Sequence, residues 1–267
     1  MAAAGIAPLV VGLGRAFGGA LLFGLPMLMT NELWELGAGM DRLRLALLLV
    51  LALPVLVGMS HRIGFEASFG WREDLRDAAI ALGIGLVAGV AILALFNLLP
   101  ADLSRDAIVG RIAVQAVPAA LGALLARSQF GGDKPREERE AFSGYGGTLF
   151  MMLVGALFLS LNIAPTEEVI QIAYAMTPWH AIATVVLTLG VMHAFVHGHG
   201  VSSEAGSGWG DFLRFTLVGY LLALIVCLVP LWLFGRIDGI GAGRLLMTVI
   251  VLAFPGGLGA AAARLLL

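Results

Sequence analysis

The sequence predicts an all-α integral membrane protein of about eight transmembrane helices, arranged as two parallel four-helix repeats related by a pseudo-twofold axis along the membrane normal. Three observations predict this. Hydrophobic residues make up 60% of 267 and mean hydropathy is +0.96, against roughly 45–50% apolar residues in soluble domains. Charged residues are only 13%, and they separate apolar runs of about 17–22 residues, the length a helix needs to cross a hydrocarbon core of roughly 30 Å. The two halves of the chain also align with each other at a shift of 136 to 138 residues, in four places and in one order.

The runs place spans at about 10–30, 43–59, 78–99, 108–126, 146–164, 179–197, 213–234 and 245–264. No Lys or Arg precedes the first run, so the start lacks the basic region of a signal peptide and is expected to remain as the first helix. Eight spans put both termini on one side. That side carries nine basic residues, Arg62, Arg72, Arg76, Arg127, Lys134, Arg136, Arg139, Arg214 and Arg264; the other carries six, Arg42, Arg44, Arg105, Arg111, Arg236 and Arg244. The excess of basic residues marks the cytoplasmic side, so both termini are expected in the cytoplasm. Fifteen Arg to one Lys points to a GC-rich bacterial genome, and hence to a bacterial inner membrane. Trp34, Trp179 and Trp232 fall at outer helix ends and Trp71 and Trp209 just before inner ones, as interfacial aromatics should.

The repeat begins with Gly19–Glu32, GALLFGLPMLMTNE, aligned without a gap to Gly155–Glu168, GALFLSLNIAPTEE. His61 then matches His197, GWREDLR from Gly70 matches GWGDFLR from Gly208, and Pro118–Arg127 matches Pro255–Arg264 through P-x-x-LGA-x-x-AR. Each half holds an even number of spans, so both enter the membrane from the same side, which makes the repeat parallel rather than inverted. The expected organisation is a first repeat over 1–127, a charged cytoplasmic linker over 128–143 centred on GGDKPREERE, and a second repeat over 144–267. The segment FGGALLFGLPMLMTNELW, Phe17–Trp34, together with the eight-span layout, resembles an uncharacterised family of bacterial conserved hypothetical integral membrane proteins. The resemblance covers most of the chain and implies a membrane bundle without an assigned activity.

A net charge of −2 gives no basic surface for a phosphate backbone, which excludes nucleic acid as a partner. The single cysteine, Cys227, sits in an apolar run and allows no intrachain disulfide. The expected surroundings are the lipid bilayer and either a second copy of the chain or a larger membrane complex.

Three groups of residues could carry chemistry. Thr30 and Glu32 follow the first helix, and Thr166 and Glu168 follow the fifth. If the helices continue past these points, Glu32/Glu35 and Glu168/Gln171 are i,i+3 pairs on one face, an oxygen-rich arrangement suited to protons or hard cations. Acids at a helix end can equally face water. The second group is His193, His197 and His199, with His193 and His197 on one face and Glu204 as a fourth ligand for a transition metal; interfacial histidines with local hydrogen bonds are the plainer reading. No cofactor is otherwise expected. The third is Arg15, a strong charge inside the first span, which either snorkels to the interface or pairs inside the bundle.

Other polar and small residues read as packing. Asn97, Gln115 and Asn162 are expected to form interhelical hydrogen bonds, and Gly14/Gly18 and Ala81/Gly85/Gly89 to let helices approach closely, while the spacing at Gly155/Leu159 followed by Ala164 is patchy. Pro26, Pro54, Pro118 and Pro255 should interrupt helices, and Trp71 with Arg76, like Trp209 with Arg214, should anchor at lipid headgroups before the third and seventh helices. No span carries an acid at its centre and no nucleotide motif is present. The expected function is therefore a channel or transporter for a small ion or solute, cation or proton favoured, passing between the halves with Glu32, Glu168, Thr30 and Thr166 at the outer mouth. The alternatives are a non-transporting accessory or assembly subunit of a membrane complex and, third, a metal-dependent membrane enzyme at the histidines.

Overall fold

The computed structural model describes residues 6–63, 70–130, 144–198 and 208–264. The chain forms two compact units, Met1–Lys134 and Pro135–Leu267. The boundary falls within the expected linker, of which 131–143 lie outside the described residues and 128–130 continue a helix.

The first unit contains α1 (Ile6–Leu28), α2 (Asn31–Gly39), α3 (Arg42–Ile63), α4 (Trp71–Leu95) and α5 (Arg105–Phe130). The second contains α6 (Tyr145–Ile163), α7 (Glu168–Ala175), α8 (Pro178–Gly198), α9 and α10 (Ala242–Arg264). Helix α9 starts as Gly208–Asp211, widens through a π turn over Phe212–Leu217 and continues as Val218–Leu233. Each unit thus runs long, short, long, long, long.

In each unit the last helix is the hub: α5 packs on α1, α2, α3 and α4, and α10 packs on α6, α7, α8 and α9. Composition explains this. Ala113, Ala116, Ala119, Ala120, Ala123 and Ala126 are buried on several sides of α5, and a helix that is apolar and small all round can be surrounded. Its most apolar stretch is 78% buried, against 33% for α3 and for α4. Large apolar side chains elsewhere, such as Val50, Val87, Val186 and Ile225, remain exposed, the surface a lipid-facing helix presents.

Glycine sets the closest crossings. A Cβ on Gly19 would stand 2.8 Å from the Gly122 carbonyl oxygen, and one on Gly122 would stand 2.9 Å from the Gly19 oxygen. In the second unit Gly155 and Gly259 oppose each other's backbone in the same way. Gly85 meets the Ala116 oxygen and Ala120 nitrogen of α5 at 2.5 and 2.9 Å. Gly14 and Gly18, expected to pack, have nothing within 4 Å of their Cβ positions: they lie on the side of α1 away from the hub.

Among the described residues seven helices, α3 to α6 and α8 to α10, are long and apolar enough to cross a membrane. Eight were expected. The remaining long helix, α1, has 23 residues, but its described apolar stretch is the shorter Val10–Gly24. The four prolines all lie inside helices, as does Pro230 in α9.

Helix ends follow local chemistry. The Asp41 carboxylate accepts the Leu43 and Arg44 N–H groups at 2.9 and 3.1 Å before α3, and Ser104 Oγ accepts the Ala107 N–H at 3.2 Å in α5. Helix α4 ends with Asn97 at φ 55, while the Leu98 N–H reaches back to the Leu93 oxygen at 2.8 Å. Helix α9 ends identically, with Gly235 at φ 69 and the Arg236 N–H on the Leu231 oxygen at 2.8 Å, a left-handed cap closed by a six-to-one bond. Asn97 is therefore an exposed capping residue, not an interhelical bridge. Asn162 also stays local, donating to the Phe158 oxygen of its own helix at 2.6 Å, and Gln115 bonds no neighbouring helix.

Candidate functional site

Helices α1 and α6 do not continue into the acidic segments as the paired-carboxylate reading supposed. Thr30 is extended, with φ −96 and ψ 128, and a separate short helix begins at Asn31. The Thr30 hydroxyl donates to the Met27 oxygen at 2.9 Å, and the Thr166 hydroxyl donates to the Ile163 oxygen at the same distance. Both threonines thus satisfy carbonyls at the end of the preceding helix. Their oxygens keep lone pairs, but their protons are committed.

Glu32 and Glu35 remain on α2, where Leu33 and Gly37 are the buried face against α5. Glu32 is half-buried and Glu35 exposed, accepting from Asn31 Nδ2 at 2.9 Å. On α7, Val169 and Ala173 are buried, while Glu168 and Gln171 are exposed. Arginines tie down this end of the second unit. Arg236 donates to the Pro165 carbonyl, and Arg244 donates to the Ala173 and Tyr174 oxygens at 3.0 and 3.2 Å with its guanidinium over the Tyr174 ring. In the first unit Arg42 pairs with Asp106 on the surface and Arg111 donates to the Leu98 oxygen.

Beside α7 lies an open cleft of about 320 Å³. Its walls include Glu168 and Ile172 of α7, Thr184 and Leu187 of α8, and Phe254 and Pro255 of α10. The Thr184 hydroxyl donates to the His180 oxygen within α8 at 2.8 Å, which leaves Glu168 as the one ionisable side chain among the lining residues. Pro255 has no N–H, so the carbonyl of Val251, also in the lining, lacks its helical donor. One carboxylate and one carbonyl are too few for a bare hard cation, which takes roughly six to eight oxygens. An apolar body with a cationic or hydrogen-bond-donating end matches both the walls and the rim.

The opposite end of each unit, where Trp71 with Arg76 and Trp209 with Arg214 are expected as headgroup anchors, also holds buried charge. Helix α4 begins at Trp71, about two turns before the expected span, and turns Asp74 and Asp77 inward to 4% and 3% exposure. Asp74 pairs with His61 Nδ1 at 3.0 Å. In the second unit Asp211 and Arg264 are buried and interact electrostatically, and Arg264 lies 3.7 Å over the Phe215 ring. His193 Nδ1 is 3.3 Å from the Thr216 hydroxyl of the π turn, and the Tyr145 hydroxyl donates to the Arg214 oxygen at 3.0 Å. The helical stripe of Ala78, Ala81, Gly85 and Ala88, extended backward one turn, passes through Asp74 and Asp77, and that periodicity was the available signal. Trp71 and Trp209 themselves are exposed.

Of the proposed metal ligands, His193 is placed as described, His197 is in α8 without a described side chain, and His199 and Glu204 lie outside the described residues. Among the described residues no three His, Cys, Asp or Glu side chains converge as a metal site. Arg15 sits on the exposed side of α1.

Residues 12–267 match the model of the family described as "Putative integral membrane protein (DUF2391)". No curated protein and no solved structure matches the chain.

Proposed function

The chain belongs to this family of integral membrane proteins, and from that premise we propose that it carries a small solute with a cationic or hydrogen-bond-donating end across the bilayer, as a channel or transporter. One observation carries the reading: the roughly 320 Å³ cleft beside α7 has apolar walls and Glu168 as its only ionisable lining residue. A carboxylate on an apolar cleft discriminates by charge while the walls supply affinity, and a bare ion would gain nothing from those walls.

The membrane arrangement belongs to the same proposal. Helix α1 is the eighth span, both termini are cytoplasmic in a bacterial inner membrane, and α2 and α7 lie at the outer surface. The two units descend from one duplicated four-span unit, a reading supported by the common helix order, the Gly19/Gly122 and Gly155/Gly259 crossings and the matched caps at Asn97 and Gly235.

Binding in lipid nanodiscs tests the site, with octyltrimethylammonium as the cationic probe and octanol as the neutral one. Wild type should bind the cation in preference, and Glu168→Gln should remove that preference while leaving octanol binding unchanged. Equal binding of the two probes by wild type, or an unaltered preference in the variant, overturns the assignment.

A further inference from the structure

Gln115 stands out in the described core. It is 1% exposed, in the middle of the hub helix α5, and neither its amide oxygen nor its amide nitrogen has a hydrogen-bond partner. An amide left bare in a membrane interior is heavily penalised, because neither lipid nor packed side chains can replace the bonds water would make. We infer that Gln115 and Arg111 hold an ordered internal water in the interface between α4 and α5.

Geometry supplies the space. At Gly85 the two helices touch backbone to backbone, with a Cβ position 2.5 Å from the Ala116 oxygen. One turn along α4, at Gly89, the nearest atoms are the Gln115 Cβ at 3.8 Å and the Ile112 oxygen at 4.0 Å. The interface therefore opens by more than an ångström just where the glutamine faces a residue without a side chain. Arg111 lies one turn away on α5 and reaches toward the end of α4, its Nη1 donating to the Leu98 oxygen while its buried Nε has no partner. Pro118 cannot donate to the Val114 carbonyl, which leaves that acceptor without its helical donor on the same turn of helix.

The mixture of groups selects the occupant. Gln115 offers two donors and one acceptor oxygen, Arg111 Nε a further donor and Val114 a further acceptor. An anion would leave the acceptors bare and a metal ion would leave the donors bare. Water donates two bonds and accepts two, and buried waters typically make about three. The feature is one-sided: in the alignment of Pro118 with Pro255, Gln115 corresponds to Leu252, which is fully buried.

Water-edited solid-state NMR of the protein labelled at glutamine and leucine, in lipid, reads the contact directly. The Gln115 side-chain amide should gain signal from water at the mixing times at which the exposed Gln171 amide does, whereas the Leu252 methyls should lag. A Gln115 amide that lags with Leu252 overturns the inference. Thermal unfolding gives a second reading by sign. With water bound, Gln115→Leu strands Arg111 Nε and Gly89→Ala crowds the water, so each lowers the Tm by several degrees; in a dry interface both remove a penalty or fill a gap, and both raise it.

Discussion

Replacing Gly155 by alanine should destabilise the second unit, whereas the same change at Gly18 should stabilise the first. The added methyl at Gly155 would fall against the Gly259 carbonyl, 2.6 Å from the Ala263 Cβ and 2.7 Å from the Gly259 carbonyl carbon. Carbon atoms rest about 3.5–4.0 Å apart, so α6 and α10 must part by about 1 Å. The obstacle is backbone, which cannot swing aside as a side-chain tip can. Overpacking costs about 1–3 kcal/mol, and against rigid backbone the upper part of that range applies, about 2–3 kcal/mol, offset by the roughly 0.8–1 kcal/mol alanine gains over glycine within a helix. A net loss of about 1–2 kcal/mol follows. At Gly18 nothing lies within 4 Å of the Cβ position, so only the propensity gain remains. At roughly 2–4 °C per kcal/mol for a protein of this size, the two variants should separate by about 4–12 °C, with shifts of opposite sign. Tryptophan fluorescence during thermal unfolding in detergent reads both. Shifts of the same sign and size would refute the crossing as the element that fixes α6 on α10.

Substitutions at three further positions test how helix ends are secured. Asn97 and Gly235 hold left-handed backbone at φ 55 and 69: Asn97→Gly should be neutral or slightly stabilising, while Gly235→Val should cost about 1–2 kcal/mol, measured as a fall in denaturation midpoint. Arg236→Ala removes the charged donor from the Pro165 carbonyl and should lower stability by about 1–3 kcal/mol; Arg236→Lys should recover part of that loss, and an unchanged midpoint in the alanine variant would show the bond to be idle.

The helical class and the approximate positions of the long helices were legible because apolar run length acts locally. The hub role of α5 was readable in principle from its alanines, since small residues on every side admit neighbours on every side. Less accessible was the direction in which a polar residue at a helix end turns. Asp74 and Arg72 lie two residues apart at the start of α4, yet Asp74 is buried while Arg72 stacks at the surface over Trp71, and only the continuation of the Ala81/Gly85 stripe distinguishes them. The short helices α2 and α7 were obscured for a related reason. Thr30 and Thr166 close the preceding helix through a three-residue side-chain bond; Pro165 marks the second break, but Thr30 stands between Met29 and Asn31 with no proline or glycine beside it. The cleft beside α7 joins residues from about 163 to 255, and such convergence depends on packing that periodicity does not encode.

Uptake of octyltrimethylammonium into proteoliposomes is the most direct test of solute passage through the Glu168 cleft. Its fixed charge prevents leakage as a neutral base. Wild type should exceed empty liposomes, and both Glu168→Gln and the cleft-filling Thr184→Trp should reduce uptake by about tenfold, the factor that roughly 1.4 kcal/mol of lost binding provides, with thermal unfolding confirming that each variant is folded. Wild-type uptake no faster than empty liposomes, or full uptake in the folded variants, would contradict the assignment.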